Sequence, residues 1–124
     1  MNTRKTFQRI KILDFLKSVK THPTAEKVYE HVKKDIPTIT LATVYRNLNL
    51  LSKKGDICRI EVNKEYHYDA DISCHQHCVC TNCGKIMDTY QKEISEYALK
   101  KLNMKGFKAN KVNVIFFGTC KTCN

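Results

Sequence analysis

The fold is decided by residues 38–55, which read TITLATVYRNLNLLSKKG. Thr40 can cap a helix, because its hydroxyl accepts a hydrogen bond from a backbone N–H of the first turn. The apolar side chains that follow recur at helical spacing, at Leu41, Val44, Leu48 and Leu51. Gly55 is a stop signal, because glycine readily takes the left-handed conformation that ends many helices. The stretch therefore predicts an amphipathic helix with one buried face.

Two more helices are predicted before this one. Residues 4–19 place an apolar stripe at Phe7, Ile10, Leu13 and Leu16, with Ile12, Phe15 and Val19 beside it. We expect these residues together to form a broad buried face of the first helix. Thr24 caps a second helix, whose apolar positions are Ala25, Val28, Tyr29 and Val32 and which ends at Lys33 and Lys34.

A short hairpin is predicted after Gly55. Residues 57–62 and 66–68 are strand-like and flank a turn at residues 63–65. Three helices followed by a hairpin are the elements of a winged helix-turn-helix, in which the third helix is the recognition helix. We therefore expect a DNA-binding domain over residues 1–69.

The composition changes from residue 70 onward. Cysteine and histidine concentrate in residues 74–83, and residues 85–90 are strand-like. A fourth helical stripe at Ile94, Tyr97, Ala98 and Leu102 ends near Gly106, and residues 107–117 are rich in β-forming residues. Residues 70–124 thus predict a small α/β domain, and the whole chain is of the α+β class.

Composition limits the possible functions. The 124 residues include 7 cysteines and carry a formal net charge of +10. No apolar run is long enough to span a membrane, and the N-terminus has no secretory core, so we expect a cytoplasmic protein. The positive charge suits an anionic partner such as nucleic acid, although basic residues outnumber acidic ones in both halves and do not locate the surface.

Two CxxC pairs give the strongest single signal. Cys80 and Cys83 form one pair, Cys120 and Cys123 the other, and together they supply four thiolates for a tetrahedral Zn²⁺ site. Such a closed site leaves no position for substrate, so we interpret it as structural zinc. The rival interpretations are a redox pair or a disulfide, which a reducing compartment disfavours. Cys58, Cys74 and Cys78 are left outside this assignment, and Cys58 is interpreted as a small buried side chain.

A second group of metal-binding residue types surrounds the first pair. His75 and His77 on an extended segment face the same side, about 7 Å apart along the strand, close enough to converge on one ion. Asp69 and Asp88 lie nearby in the sequence. Imidazole and carboxylate suit Fe²⁺, Mn²⁺ or Zn²⁺, and ligand type alone does not choose among them. Taken singly, each of these residues fits a solvated or structural role better than the role of a metal ligand.

Several motifs in register resemble the ferric uptake regulator family over nearly the whole chain. They are Thr6-Phe7-Gln8-Arg9, His22-Pro23-Thr24-Ala25, the run from Ala42 to Leu48, His75-x-His77-x-x-Cys80-x-x-Cys83-Gly84-Lys85 and the terminal Cys120-x-x-Cys123. Within the family, the chain is most similar to the peroxide-responsive repressors, because Asp at position 88 is associated with peroxide sensing and Glu with iron sensing.

The resemblance implies a dimeric, metal-activated repressor that binds a palindromic double-stranded DNA operator, with a C-terminal dimerisation domain. It implies a regulatory Fe²⁺ or Mn²⁺ site formed by His22, Asp69, His75, His77 and Asp88, and structural zinc at Cys80, Cys83, Cys120 and Cys123. An ion bound by all five regulatory ligands would join the two halves of the chain. Peroxide would then oxidise an imidazole, His22 or His75, and release both metal and DNA.

Three departures from the family pattern stand out. Phe7 occupies a position where proline is common, and the chain lacks most of the N-terminal extension. Val112 stands where many relatives carry a histidine of an auxiliary metal site, so no third site is expected here.

DNA contacts are expected from two regions. The recognition helix offers Thr43, Tyr45, Arg46 and Asn47 to the major groove, where arginine can pair with guanine. Arg4, Lys5, Arg9 and Lys11 are expected to contact phosphate or a neighbouring minor groove. The structural alternative is that Tyr45 belongs to the core and that the basic residues form a solvated face.

Other function classes fit less of the chain. A CxxC oxidoreductase needs one exposed thiol of low pKa, and a zinc deaminase needs a Glu and a Pro that residues 75–83 lack. A zinc-ribbon interaction module would leave the helix-turn-helix unexplained. An iron- or zinc-uptake regulator of the same family remains the main alternative, and we do not expect an enzyme.

Overall fold

The computed structural model describes residues 3–73 and 75–124, with side chains described from Lys5 onward. The chain forms two compact units, the first ending at Ile72 and the second beginning at Ser73. The sequence predicted a domain boundary between residues 69 and 70. Within the described ranges, no helix combines the length and the apolar character needed to cross a membrane.

The N-terminal unit is a winged helix-turn-helix, as predicted. Its helices are α1 (Thr3–Ser18), α2 (Ala25–Val32) and α3 (Leu41–Lys54), and its strands are β1 (Cys58–Val62) and β2 (Glu65–Asp69). Thr24 and Thr40 accept hydrogen bonds from the N–H groups of Lys27 and Thr43 at 3.4 and 3.2 Å, so both predicted N-caps are confirmed. Gly55 ends α3 in the left-handed conformation, at φ 81°.

The buried face of α1 agrees with the predicted face in its C-terminal half and differs from it in its N-terminal half. Ile12 and Leu16 are buried in the core, whereas Phe7 and Ile10 are 47% and 50% exposed. Gln8, four residues before Ile12, lies on the buried face instead. Both sets follow helical spacing, and tertiary packing against α2 and α3 selected the one that includes a glutamine.

The hairpin of β1 and β2 is antiparallel, with Val62 opposite Glu65 and Cys58 opposite Asp69. Its turn is shorter than predicted, because Asn63 and Lys64 alone make it, at φ 53° and 66°. Positive φ at both central residues is typical of the two-residue hairpin turn. Glu65 therefore belongs to β2 rather than to the turn.

The C-terminal unit is a three-stranded sheet with one helix, which confirms the predicted α/β class. Its elements are β3 (Gln76–Cys80), β4 (Ile86–Thr89), α4 (Lys92–Lys101) and β5 (Ile115–Gly118). The order is β4-β3-β5, with β4 antiparallel and β5 parallel to the central β3. Residues 107–114 are not a strand, so the predicted β region shrinks to β5. Helix α4 buries Ser95 and leaves Tyr97 exposed, and Leu102, which follows the helix, is exposed as well.

Candidate metal centres and nucleic-acid interface

The four predicted zinc ligands lie together in the C-terminal unit. Cys80 is the last residue of β3, and Cys120 follows β5, which pairs with β3 so that Cys80 lies opposite Gly118. The sulfur atoms of Cys80, Cys83, Cys120 and Cys123 all lie within 4.8 Å of one another. Parallel pairing of β3 and β5 therefore places both knuckles at the same end of the sheet.

Backbone N–H groups stabilise a thiolate at Cys80. The N–H groups of Cys83 and Cys120 each donate to Cys80 Sγ at 3.4 Å. These two bonds, that from Cys83 first, lower the pKa of the Cys80 thiol to about 6. The N–H of Cys123 is the main cause of a lowered pKa at Cys120.

The fourth thiol shows how strongly the sulfur atoms interact. The Asn82 side chain lowers the pKa of Cys123, but Cys120 and Cys80 oppose it and raise that pKa to about 11. Adjacent thiolates repel one another, and a divalent cation would offset this repulsion. Cys83 Sγ lies 3.7 Å from Cys120 Sγ. That separation matches sulfur atoms bound tetrahedrally to one Zn²⁺ at about 2.3 Å. The donor set therefore fits zinc.

His75, His77 and Asp88 form a nitrogen and oxygen donor set in the same unit. The Nε2 atoms of the two histidines are 3.1 Å apart, and Asp88 Oδ1 lies 3.3 Å from His75 Nε2 and 3.2 Å from His77 Nε2. Ligand atoms bound at about 2.1 Å to one ion lie at such distances from each other. Both imidazoles are buried, so the three atoms converge on one point away from bulk water.

Strand register and local hydrogen bonds position this set. His77 on β3 lies directly opposite Asp88 on β4, a pairing that spacing in the sequence does not reveal. His75 Nδ1 lies 2.8 Å from the carbonyl oxygen of Ser73, which can only accept, so Nδ1 carries the proton and Nε2 is left available as a ligand. The His75 ring also stacks on Tyr90 at 4.9 Å.

Gln76, between the two histidines, points to the other face of the sheet. Its Nε2 donates to Ser95 Oγ at 2.8 Å, and its Oε1 accepts from the Gln91 N–H at 2.9 Å. The fully buried amide thus joins β3 to the start of α4. Sequence reasoning passed over this residue, although strand alternation between two candidate ligands could have indicated it.

His22 and Asp69 form a second pair of donors, in the N-terminal unit. His22 Nε2 lies 3.2 Å from Asp69 Oδ2, and the imidazole is buried. The other carboxylate oxygen accepts a hydrogen bond from the Asp71 N–H at 2.9 Å. Of the five predicted regulatory ligands, each unit thus brings its own members within hydrogen-bonding distance of one another.

His67 is a further residue that sequence reasoning missed. Its Nδ1 lies 2.8 Å from the carbonyl oxygen of His22. The available signal was strand alternation, since residues 67 and 69 share one face of β2.

The recognition helix presents Arg46 and Tyr45 to solvent. The Tyr45 ring is 37% exposed rather than part of the core, and its hydroxyl donates to Glu26 Oε1 at 2.8 Å. That bond is the main cause of the lowered pKa of Glu26 and of the raised pKa of Tyr45. Thr43, half-buried, shares a hydrogen bond of 3.0 Å with the Thr40 hydroxyl.

Asn47, one of the residues predicted to contact DNA, is turned inward. Its side chain is only 6% exposed, and its Nδ2 donates to the carbonyl oxygen of Thr43 at 2.9 Å. The amide therefore stabilises the inner side of α3.

The basic side chains of α1 have unequal surroundings. Lys5 is exposed and Arg9 is half-buried. Lys11 forms an ion pair with Asp35, with 3.6 Å between Lys11 Nζ and Asp35 Oδ2. The side chain of Arg4 lies outside the described part of the chain. Cys58 and Cys78 are half-buried, and Cys74 is not among the described residues.

Comparison with known proteins adds independent findings. Residues 1–117 match the sequence model of the ferric uptake regulator family. The chain is 31% identical over 122 residues to the peroxide operon regulator of Bacillus subtilis, covering 98% of this chain and 84% of that protein. It is similar in structure to the Campylobacter jejuni peroxide stress regulator, with a TM-score of 0.82, 38% identity and coverage of 98% and 92% of the two chains. The Helicobacter pylori ferric uptake regulator, described as having three functional metal binding sites, gives a TM-score of 0.79 and 26% identity over 94% of this chain and 79% of that one.

Proposed function

Because the chain belongs to the ferric uptake regulator family, we propose that it is a metal-dependent DNA-binding repressor that senses hydrogen peroxide. One observation carries the proposal: a winged-helix unit shares the chain with two donor sets, one of sulfur and one of nitrogen and oxygen. Members of the family are dimeric regulators that bind DNA. We propose a homodimer in the cytoplasm that acts by binding and not as an enzyme.

The sulfur set would hold structural zinc. Cys80, Cys83, Cys120 and Cys123 fill a tetrahedral shell, so a zinc ion there has no open position for peroxide or substrate. Zinc at this place would tie the end of the chain to the end of β3, and its binding free energy would add to the stability of the C-terminal unit.

The nitrogen and oxygen donors would hold the regulatory Fe²⁺ or Mn²⁺. His75, His77 and Asp88 make a two-histidine, one-carboxylate set, which is typical of non-haem iron sites with open positions. Following the resemblance, we propose that His22 and Asp69 complete the shell. Two carboxylates balance the charge of a divalent ion, and three imidazoles supply its nitrogen ligands.

Peroxide sensing is supported by two relatives whose names describe peroxide regulation. When bound, Fe²⁺ would supply the reactivity that adds one oxygen atom of hydrogen peroxide to an imidazole carbon of His22 or His75, with water as the other product. An oxidised ring is a poorer ligand, so the regulatory shell would lose a donor. Asp88, with its shorter side chain than glutamate, would favour this response.

The N-terminal unit would read DNA through α3. Exposed Arg46 can pair with guanine in the major groove, and Tyr45 can contact a thymine methyl group. Lys5, Arg9 and Lys11 would contact phosphate and add affinity that is independent of sequence. A twofold dimer presents two recognition helices, so we propose a palindromic operator.

The test of sensing uses zinc-loaded protein and a duplex selected from random sequences by the protein itself. Protein with Fe²⁺ should lose DNA binding after brief peroxide exposure and gain one oxygen mass on a peptide with His22 or His75. Protein with Mn²⁺ should resist, and Asp88→Glu should keep metal-dependent binding while losing most of the peroxide response.

Two outcomes would contradict the peroxide assignment. If peroxide releases zinc while both histidines stay unmodified, the switch is based on thiols. If binding follows only the concentration of Fe²⁺ or Zn²⁺, the protein is a metal-uptake regulator, the second candidate function.

The DNA surface has a separate test. Arg46→Ala should weaken operator binding by about 1 to 3 kcal/mol and relax base preference at one position, because a paired guanine contact is lost. Lys5→Ala should weaken all duplexes alike and reduce the dependence on salt, since it removes only a phosphate contact. Equal losses on every duplex for both variants would show that Arg46 reads no base.

A further inference from the structure

His67 lies on β2 but outside the metal ligands proposed above. Its imidazole is largely buried, and the Nδ1 atom lies 2.8 Å from the carbonyl oxygen of His22. A carbonyl oxygen only accepts hydrogen bonds, so Nδ1 must carry the proton. The other ring nitrogen, Nε2, lies 3.7 Å from Glu65 Oε1, beyond ordinary hydrogen-bond length.

The residue that receives this bond has an unusual backbone. His22 has φ 56°, in the left-handed region that residues with a side chain seldom occupy. Such a conformation persists only when the surroundings hold it, and it is more frequent at ligand-binding positions. Here it directs the imidazole so that Nε2 lies 3.2 Å from Asp69 Oδ2.

Three consecutive residues of β2 contact His22 and Pro23. The Tyr68 N–H donates to the Pro23 carbonyl oxygen at 3.0 Å, the His67 side chain binds the His22 carbonyl oxygen, and Asp69 faces the His22 ring. The Tyr68 bond uses the backbone, and Asp69 is itself a proposed ligand. Among these three contacts, the His67 bond is the one that a side-chain substitution can remove without deleting a ligand.

We propose that His67 is a positioning residue, which holds His22 in its left-handed conformation and so aims the His22 imidazole at the regulatory metal. The inference deepens the proposed function and depends on it. The Nδ1–H of His67 supplies the donor, as outer hydrogen bonds commonly orient metal ligands. His67 itself does not bind the ion in this arrangement.

Two substitutions distinguish the loss of the Nδ1–H hydrogen-bond donor from the loss of the volume of the imidazole ring. His67→Asn places an amide nitrogen near the position of Nδ1, whereas His67→Gln places it near Nε2, where it cannot reach the His22 carbonyl oxygen. The two variants are neutral and differ by one methylene. A general effect on packing would change both alike, while a positioning role requires that only asparagine restore function.

The experiment measures Mn²⁺ affinity of the zinc-loaded, full-length protein. His67→Gln should bind Mn²⁺ about 10-fold more weakly than wild type, the low end for loss of an outer hydrogen bond at a metal site. His67→Asn should stay within about 3-fold of wild type. Equal weakening in both variants, or none in His67→Gln, would overturn the proposal.

A second readout needs no regulatory metal. The ¹³Cα chemical shift of His22 reports its backbone conformation, so in Mn²⁺-free protein it should move in His67→Gln and stay in place in His67→Asn. His22→Ala separates the two hypotheses. If that variant and wild type bind Mn²⁺ equally, the proposed regulatory site is wrong. If His22→Ala alone loses affinity while His67→Gln does not, only the role of His67 is wrong.

Discussion

The sulfur donors and the nitrogen and oxygen donors of this chain are prepared in different ways. The four cysteines come as two local pairs, and Cys80 Sγ accepts hydrogen bonds from the Cys83 N–H of its own knuckle and from the Cys120 N–H of the other. His75, His77 and Asp88 depend on the register between β3 and β4 and on side-chain contacts. Each cysteine pair is contained in one turn and the pairing of β3 with β5 brings the two turns together, whereas His77 meets Asp88 only across the pair of β3 and β4.

This difference matches the two roles we propose. A shell of four sulfurs enclosed by backbone donors suits a permanent ion, because its ligands leave no open position. A shell whose ligands are placed by separate strands and by a strained His22 can respond to a change in any one of them. Three substitutions test whether the two donor sets differ in this way.

The largest effect is expected from the sulfur set. Cys120→Ser should lose zinc and unfold the C-terminal unit, because zinc binding contributes about 10 kcal/mol or more of folding free energy in such sites. Zinc content and thermal unfolding by circular dichroism measure this. Cys78→Ser is the matched control, since Cys78 lies on β3 but outside the cluster and should keep its zinc. If the Cys120→Ser protein stays folded and keeps its zinc, the complete set of four sulfurs is not needed for zinc binding or for folding.

An intermediate effect is expected from the nitrogen and oxygen set. Asp88→Ala should weaken Mn²⁺ binding at least about 100-fold, or about 2.7 kcal/mol, because the remaining ligands in its unit are neutral imidazoles. It should keep one zinc per chain and stay folded. Glu93→Ala removes an exposed carboxylate from the first turn of α4 and should leave both metals unchanged. Loss of zinc from Asp88→Ala would mean that the two sets are not independent.

The smallest effect is expected from Gln76. Gln76→Leu should lower the free energy of unfolding by about 1 to 3 kcal/mol, because the Gln91 N–H and Ser95 hydroxyl lose a buried partner. Zinc content should not change. Adding Ser95→Ala should recover part of the loss, since one unsatisfied group is then removed. Chemical denaturation of the three proteins provides the measurement, and a double variant less stable than Gln76→Leu would contradict the explanation.

Local signals predicted α2 and α3 well. Thr24 and Thr40 are caps, and Gly55 is the stop, because each acts through hydrogen bonds or backbone preference within one turn. Helix α1 shows where such reasoning fails. Hydrophobicity favoured a buried Phe7 and Ile10, but the structure exposes both and buries Gln8 instead. Which stripe is buried depends on neighbours distant in the sequence.

The sites follow the same division. Positions in the sequence alone identified four cysteines, two histidines and two nearby aspartates as candidate ligands, and the family resemblance added His22. Neither could show that His77 faces Asp88 across a strand pair, that Asn47 turns inward, or that His67 holds the His22 backbone. Each of these facts joins residues that are brought together, or turned inward, only after the chain has packed.

Local sequence signals were enough to predict the limits of α2 and α3, the winged-helix order of elements and the two CxxC knuckles. These features depend on interactions within a few residues, whose geometry is the same in any fold. Only the tertiary structure decided the buried face of α1, the register that pairs His77 with Asp88 and the left-handed backbone of His22. The physical reason is that packing and strand pairing select among local alternatives of similar free energy.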